Sequence, residues 1–279
     1  MQESELKKKA NEIRQDVIKM LLEAKSGHSA GSLGMADVMT ALYFGGVLKH
    51  DPKKPDWSER DYFILSNAHI CPVWYTTLAH AGYFDKETLK TLRKFRSCLQ
   101  GHPHMHCAPG VENSGGPLGQ GLSIAIGLAY GLKMDGKRNQ VYCMTGDGEQ
   151  DEGQMWEAVM FAGKNKMDNL TAIMDRNNIQ IDGYTEDVMP LEPLRAKYEA
   201  FNWHVIDADG HNIEEIVDAC NQAKAIYEKP VMILAHNIPG KGVDFIEFQY
   251  SWHGKTPNKE EAAEALKQLR TLGGQIEEE

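Results

Sequence analysis

The sequence has 279 residues, of which 42% are hydrophobic and 25% charged, with a formal net charge of −10. That length is enough to bury a large core. The acidic balance without a basic stripe excludes a protein built to neutralise nucleic-acid phosphates, and no apolar run reaches the roughly 20 residues that span a bilayer.

Leu6, Ala10, Ile13, Val17, Met20 and Leu21 recur every three to four residues, which predicts an amphipathic opening helix. This stretch lacks the apolar centre of a signal peptide. "SGHSAGS", rich in Gly and Ser, reads as a turn, "MADVMTALYFGGVL" as a more buried helix, and Tyr62–Leu65 as a short strand breaking at Ser66 and Asn67. "CPVWYTTLAHAGYF" and "KETLKTLRKFR" read as two further helices. "LQGHPHMHCAPGVENSGGPLGQG" is a loop of a length more often functional than connecting, and it leads into the apolar helix "LSIAIGLAYGLKM". From Asn139 onward the strands "QVYCMT", "LTAIMD", "WHVIDA" and "PVMILAHN" alternate with the helices "GQMWEAVMFAGKNK", "LEPLRAKYEAFN" and "IEEIVDACNQAKAIYE". The alternation predicts an α/β fold with an open, mostly parallel sheet and helices on both faces. One domain is expected over residues 1–279, with a helical amino-terminal segment, closed by the charged helix "KEEAAEALKQLRTL" and an acidic tail. Cys71, Cys98, Cys107, Cys143 and Cys220 have no CxxC spacing and read as reduced thiols in a cytoplasmic protein.

Asp147 follows the strand "QVYCMT" directly after Gly146, and Asn177 follows the next strand. A right-handed crossover brings such consecutive strand ends together, at the sheet edge where α/β proteins bind ligands. A carboxylate and an amide oxygen side by side are hard donors suited to Mg²⁺ with phosphate oxygens as its other ligands. Gly146 and Gly148 let a phosphate approach the backbone, and a helix starting near Glu152 points its positive end at that anion. A strand-turn-helix with chance Gly and Asn is the plainer reading, disfavoured by the joint spacing.

GDG, a helix-length gap and NN resemble the thiamin-diphosphate signature. Through "SGHSAGS", "LSNAH", "QGHPH", "GGPLGQG", "GDGEQDEG", "DRNNIQIDG", "GHN", "PGKGV" and "WHG" the wider chain resembles the amino-terminal, diphosphate-binding half of transketolase. The resemblance implies a metal, Mg²⁺ or another divalent ion such as Ca²⁺, on Asp147, Asn177 and the Ile179 carbonyl, with Gly148 against the diphosphate. It places Gly116 and Leu118 beside the cofactor's aminopyrimidine, although that glycine turn could equally be only a helix start. His28, His69, His102 and His253 match histidines that bind diphosphate, accept sugar hydroxyls and move protons, a task neutral imidazole suits near pH 7. The resemblance makes His69 and His253 cofactor-binding as well as catalytic, and has Glu152 hydrogen-bonding near the cofactor. Glu157 matches a glutamate at a subunit interface that couples to the partner's catalytic glutamate, its alternative being a solvated helix face. His102, His104 and His106 with Cys107 form a weaker zinc reading, since such sites want four ligands of mixed spacing. "SGHSAGS", "SNAHI" and "GHPHMH" depart from the family pattern beside the substrate channel, which bears on sugar specificity.

In this family the activating glutamate, the aromatic shelf and the phosphate-clamping arginines come from a pyrimidine-binding domain. No second α/β domain is expected within residues 1–279. The expectation is the amino-terminal half of a split transketolase, active with a partner chain as a dimer of heterodimers on sugar-phosphate substrates. Alternatives are a 2-oxo-acid dehydrogenase alpha-like or deoxyxylulose-phosphate-synthase-like subunit, or a non-catalytic cofactor-binding subunit.

Overall fold

A computed structural model describes residues 1–271; the last residue of the expected closing helix, Leu272, and the acidic tail lie outside the described residues. The chain begins with helices α1 (Glu3–Ala24), α2 (Ala30–Gly34) and α3 (Ala36–Phe44), then strand β1 (Tyr62–Leu65) and helices α4 (Cys71–Ala81) and α5 (Gln120–Met134). Strand β2 (Val141–Gly146), helix α6 (Gly153–Lys164) and strand β3 (Leu170–Arg176) follow. The small strands β4 (Ile179–Gln180) and β5 (Gly183–Tyr184) lead into α7 (Thr185–Val188) and α8 (Leu194–Ala200). The chain continues with β6 (His204–Asp209), α9 (Ile213–Ala225), β7 (Val231–His236) and α10 (Lys259–Thr271).

Five strands form one parallel sheet in the order β1-β2-β3-β7-β6, and β4 and β5 pair antiparallel apart from it. Side-chain alternation decides which helices cover which face. Tyr142, Met144 and Ile173 join the core built from α1, α3, α4, α9 and α10, whereas Val141, Cys143, Ala172 and Met174 join α5, α6 and α8. Both faces are thus dry, which is why these strands read as near-continuous apolar runs. Each large side chain buried this way contributes roughly 1.5–3 kcal/mol. Among the described residues no helix is long and apolar enough to cross a membrane.

Two expectations are corrected. "SGHSAGS" is not merely a turn: Ala30–Gly34 is helical and buried, with Ser32 Oγ donating to the His28 carbonyl at 2.8 Å. A Cβ on Gly31 would lie 2.8 Å from Ile70 Cγ2, so that glycine serves close packing. "KETLKTLRKFR" is not an α-helix but a 3₁₀ turn over Lys86–Thr91. Arg93 and Arg96 take the left-handed backbone, φ 59° and 64°, and the Arg93 N–H turns back to the Leu99 carbonyl at 2.9 Å.

β2 and β3 are adjacent in register, with Gly146 opposite Asp175. The polar motifs of the chain gather at that carboxyl edge.

Candidate active site

Asp147, buried just past β2, ties the two strand ends together. Its Oδ1 accepts from the Gly148 N–H at 2.7 Å, and its Oδ2 accepts from the Asn178 N–H at 2.6 Å and from Arg176 at 3.3 Å. Asn177 is clamped two residues beyond Asp175: its Nδ2 donates to Asp175 Oδ2 at 2.7 Å, and its Oδ1 accepts from the Ile179 N–H at 3.0 Å. The Asn237 amide, arriving from the end of β7, donates to the other Asp175 oxygen at 2.9 Å. The structure therefore brings Asp147, Asn177 and Ile179 to one turn.

Burial lifts Asp147 to about 6 against the pull of Arg176, and burial followed by the Asp147 charge lifts Asp175 to about 8. Two crowded acids beside the Asn177 amide oxygen form a hard-oxygen set, which fits a divalent cation. Among the described residues no three His, Cys, Asp or Glu side chains gather as a metal cluster. His104 Nδ1 instead meets the Met105 carbonyl at 3.0 Å.

Glycines shape the neighbouring cradle. A Cβ on Gly148 would lie 3.2 Å from Gln180 Cβ, and one on Gly119, itself left-handed at φ 81°, would lie 2.9 Å from Glu152 Cβ. The exposed Glu152 is thus placed against the "GGPLGQG" turn, and the Leu118 carbonyl accepts from Gln154 Nε2 at 3.0 Å. Residues Gly148–Asp151 make a 3₁₀ turn, so α6 starts one residue after Glu152, with no side-chain cap on its first turn. Beneath the cradle the buried Glu149 braces three motifs. Its Oε1 accepts from Ser66 Oγ at 2.5 Å and the Gly119 N–H at 2.7 Å, and its Oε2 accepts from the Gly146 N–H at 2.9 Å. Ser66 Oγ in turn accepts from the Gly121 N–H at 3.0 Å.

Three of the four singled-out histidines stack into one wall. Ring centroids of His28 and His69 are 5.0 Å apart, of His69 and His253 4.9 Å, and of His28 and His253 5.6 Å. Ser29 Oγ donates to the Lys255 carbonyl at 2.6 Å, which fastens the loop bearing His28 to the loop bearing His253. A Cβ on Gly116 would lie 3.9 Å from His102 Cγ, which sets the exposed fourth ring against the glycine turn. A Cβ on Gly31, in the short helix just after His28, would come 3.6 Å from Asp175 Oδ2, so the wall stands next to the acid–amide turn.

Burial, then the charges of His253, Arg93 and His102, holds His28 down to about 4. Burial also depresses His69, His253 and, with Arg93, His102. These rings are neutral at pH 7 and able to donate or accept. The unfolded chain protonates them near the ordinary histidine value, so it binds more protons as pH falls below about 6.5, and stability drops through that window. Urea unfolding is expected to show a lower midpoint at pH 5 than at pH 7, with the difference reduced in His28→Asn; a midpoint insensitive to pH would contradict the buried neutral wall.

Sequence reasoning missed Asn67, Glu149, Asp175, Arg176, Gln180 and Asn237. All are polar, and all but Gln180 are buried. Their sequence signals are position: Glu149, Asp175, Arg176 and Gln180 flank the GDG and NN motifs, Asn67 lies within "LSNAH", and Asn237 ends the strand "PVMILAHN". Glu157 is exposed on α6, one turn before Phe161.

A parallel sheet whose strand ends hold an acid–amide turn, a glycine cradle and neutral imidazoles defines an α/β domain for a diphosphate-bearing cofactor. Residues 6–275 match the family model described as "Transketolase, thiamine diphosphate binding domain". The chain belongs to the transketolase family, as the amino-terminal subunit of a split transketolase. It is 44% identical over 272 residues to the 6-deoxy-6-sulfo-D-fructose transketolase subunit SqwG of Clostridium sp. (strain MSTE9), covering 98% of each chain. It is 37% identical over 279 residues to an apulose-4-phosphate transketolase subunit of Phocaeicola vulgatus, covering 100% of this chain and 99% of that one. The crystal structure of transketolase from Campylobacter jejuni superposes with a TM-score of 0.90 at 35% identity, covering 96% of this chain and 43% of that longer one.

Proposed function

We propose that Asp147, Asn177 and the Ile179 carbonyl would hold Mg²⁺, or another divalent ion such as Ca²⁺, and that Gly148 would leave room for the diphosphate of thiamin diphosphate. A partner subunit carries the pyrimidine-binding domain, and the pair moves a two-carbon ketol unit from a ketose phosphate to an aldose phosphate in the cytoplasm, as in the pentose phosphate pathway. The observation that carries this reading is the neutral imidazole wall beside the acid–amide turn, because ketol transfer must deprotonate one hydroxyl and protonate another. When bound, the cofactor supplies the nucleophilic carbon and the electron sink. His28, His69, His102 and His253 orient sugar hydroxyls and hold or release their protons. Gly116 and Leu118 leave room for the aminopyrimidine, and Glu152 borders it.

Partner docking is supported by the outer faces of α5 and α6. Ile124, Tyr130, Met160 and Phe161 are exposed there, and a Cβ on Gly127 or Gly131 would meet nothing within 4 Å. Glu157 shares this surface, in line with a role across the interface of a dimer of heterodimers. The relatives are named for 6-deoxy-6-sulfo-D-fructose and for apulose-4-phosphate, which adds such ketoses to the pentose phosphates as donors to test.

Co-expression with the partner chain, followed by mass analysis of sugar-phosphate mixtures, tests the reading. The expected result is an acceptor lengthened by two carbons with both chains present and none with this chain alone. Full activity of the isolated chain, or no two-carbon exchange by the complex, would overturn it.

A further inference from the structure

Asn67 follows β1 by two residues and is 1% exposed, yet neither its Nδ2 nor its Oδ1 has a hydrogen-bond partner among the described residues. A buried carboxamide without partners opposes folding, and an apolar side chain would fill the same space without that penalty. Buried polar groups of this kind call for an explanation.

The surroundings supply one. A Cβ on Gly146 would lie 3.5 Å from Asn67 Cβ and 3.9 Å from its Nδ2, so the amide stands against the first glycine of GDG. The backbone is fixed on both sides. Ser66 is bonded to Glu149 at 2.5 Å, and His69 stands in the imidazole wall. Two other buried polar atoms without partners lie in that wall, His28 Nδ1 and His253 Nδ1. Exchanging the amide's oxygen and nitrogen changes nothing here, because both atoms lack partners.

We infer that Asn67 is a further binding residue of this site, its Nδ2 donating to an anionic oxygen of the bound diphosphate. The inference rests on reading the site as a diphosphate seat. A neutral donor suits this position. It meets an anion without adding charge beside Asp147 and Asp175, and the fixed flanks aim it before the ligand arrives.

The test uses the full chain with millimolar magnesium pyrophosphate in thermal-shift measurements, and the complex with its partner for thiamin diphosphate affinity. Asn67→Ala and Asn67→Ser are expected to leave the ligand-free melting temperature unchanged or raised, to shrink the pyrophosphate-induced shift, and to weaken cofactor affinity by roughly 10-fold or more. Asn67→Asp is expected to weaken it further by repelling the anion. A lower ligand-free melting temperature with an undiminished pyrophosphate shift would mean a structural role and overturn the inference. Tighter binding by Asn67→Asp would do the same, since the amide would then face a cation. If the unsubstituted protein itself responds to neither probe, the diphosphate reading fails with it; if that protein responds and the variants respond equally, only the assignment of Asn67 falls.

Discussion

Asp147→Ala is expected to weaken magnesium-dependent thiamin-diphosphate binding by the assembled enzyme at least ~100-fold, beyond the loss typical of a group that merely supports a metal ligand. The two oxygens of Asp147 meet both strand ends, through the Gly148 and Asn178 N–H groups. Its removal also leaves Arg176 with Glu186 and Glu192 as its acidic partners among the described residues. Asp147→Asn separates these effects, because the amide keeps an acceptor and the shape but loses the charge. Calorimetry with and without Mg²⁺ should show both variants binding weakly and Asn retaining more stability. Unchanged affinity in either would remove the metal assignment.

Glu149→Ala should produce the largest loss of stability of any single change at the site. Its carboxylate holds Ser66 Oγ and the Gly119 and Gly146 N–H groups from three separate loops. Each donor left buried without a partner costs about 1–3 kcal/mol, so urea unfolding should show a loss of about 3 kcal/mol or more. Burial raises this carboxyl above its ordinary range, so Glu149→Gln, which keeps one acceptor, should recover part of the loss. Cofactor affinity should fall alongside stability, because the same three loops form the cradle. A variant as stable as the parent would show that the loops hold themselves.

The sheet was legible because each strand is a short apolar run bounded by turn residues, and β1 came out at Tyr62–Leu65 as expected. The acid–amide turn was legible for a related reason: the register pairing Gly146 with Asp175 follows from one helix joining adjacent strands. Ala30–Gly34 was not, since glycine used for close packing looks the same in sequence as glycine used to turn. Nor was the shortened Lys86–Thr91 segment, whose helical spacing is overridden by a backbone reversal at Arg93. The polar braces were hidden for a deeper reason. Glu149 and Ser66, or Asp175 and Asn237, are far apart in the chain, and their pairing exists only once the strands have taken their order.

The acid–amide turn is drawn from a compact stretch, whereas the imidazole wall joins residues 28, 69 and 253. A ribosome therefore releases the strands of the first long before the second can close. Asn237, which props Asp175, also emerges late, and contacts between such distant segments are the slow ones to form. A nascent chain halted before β7 would carry Asp147 and Asn177 without the prop that steadies Asp175 beneath the amide, so this half-pocket matures only after β7 and the loop bearing His253 have been made.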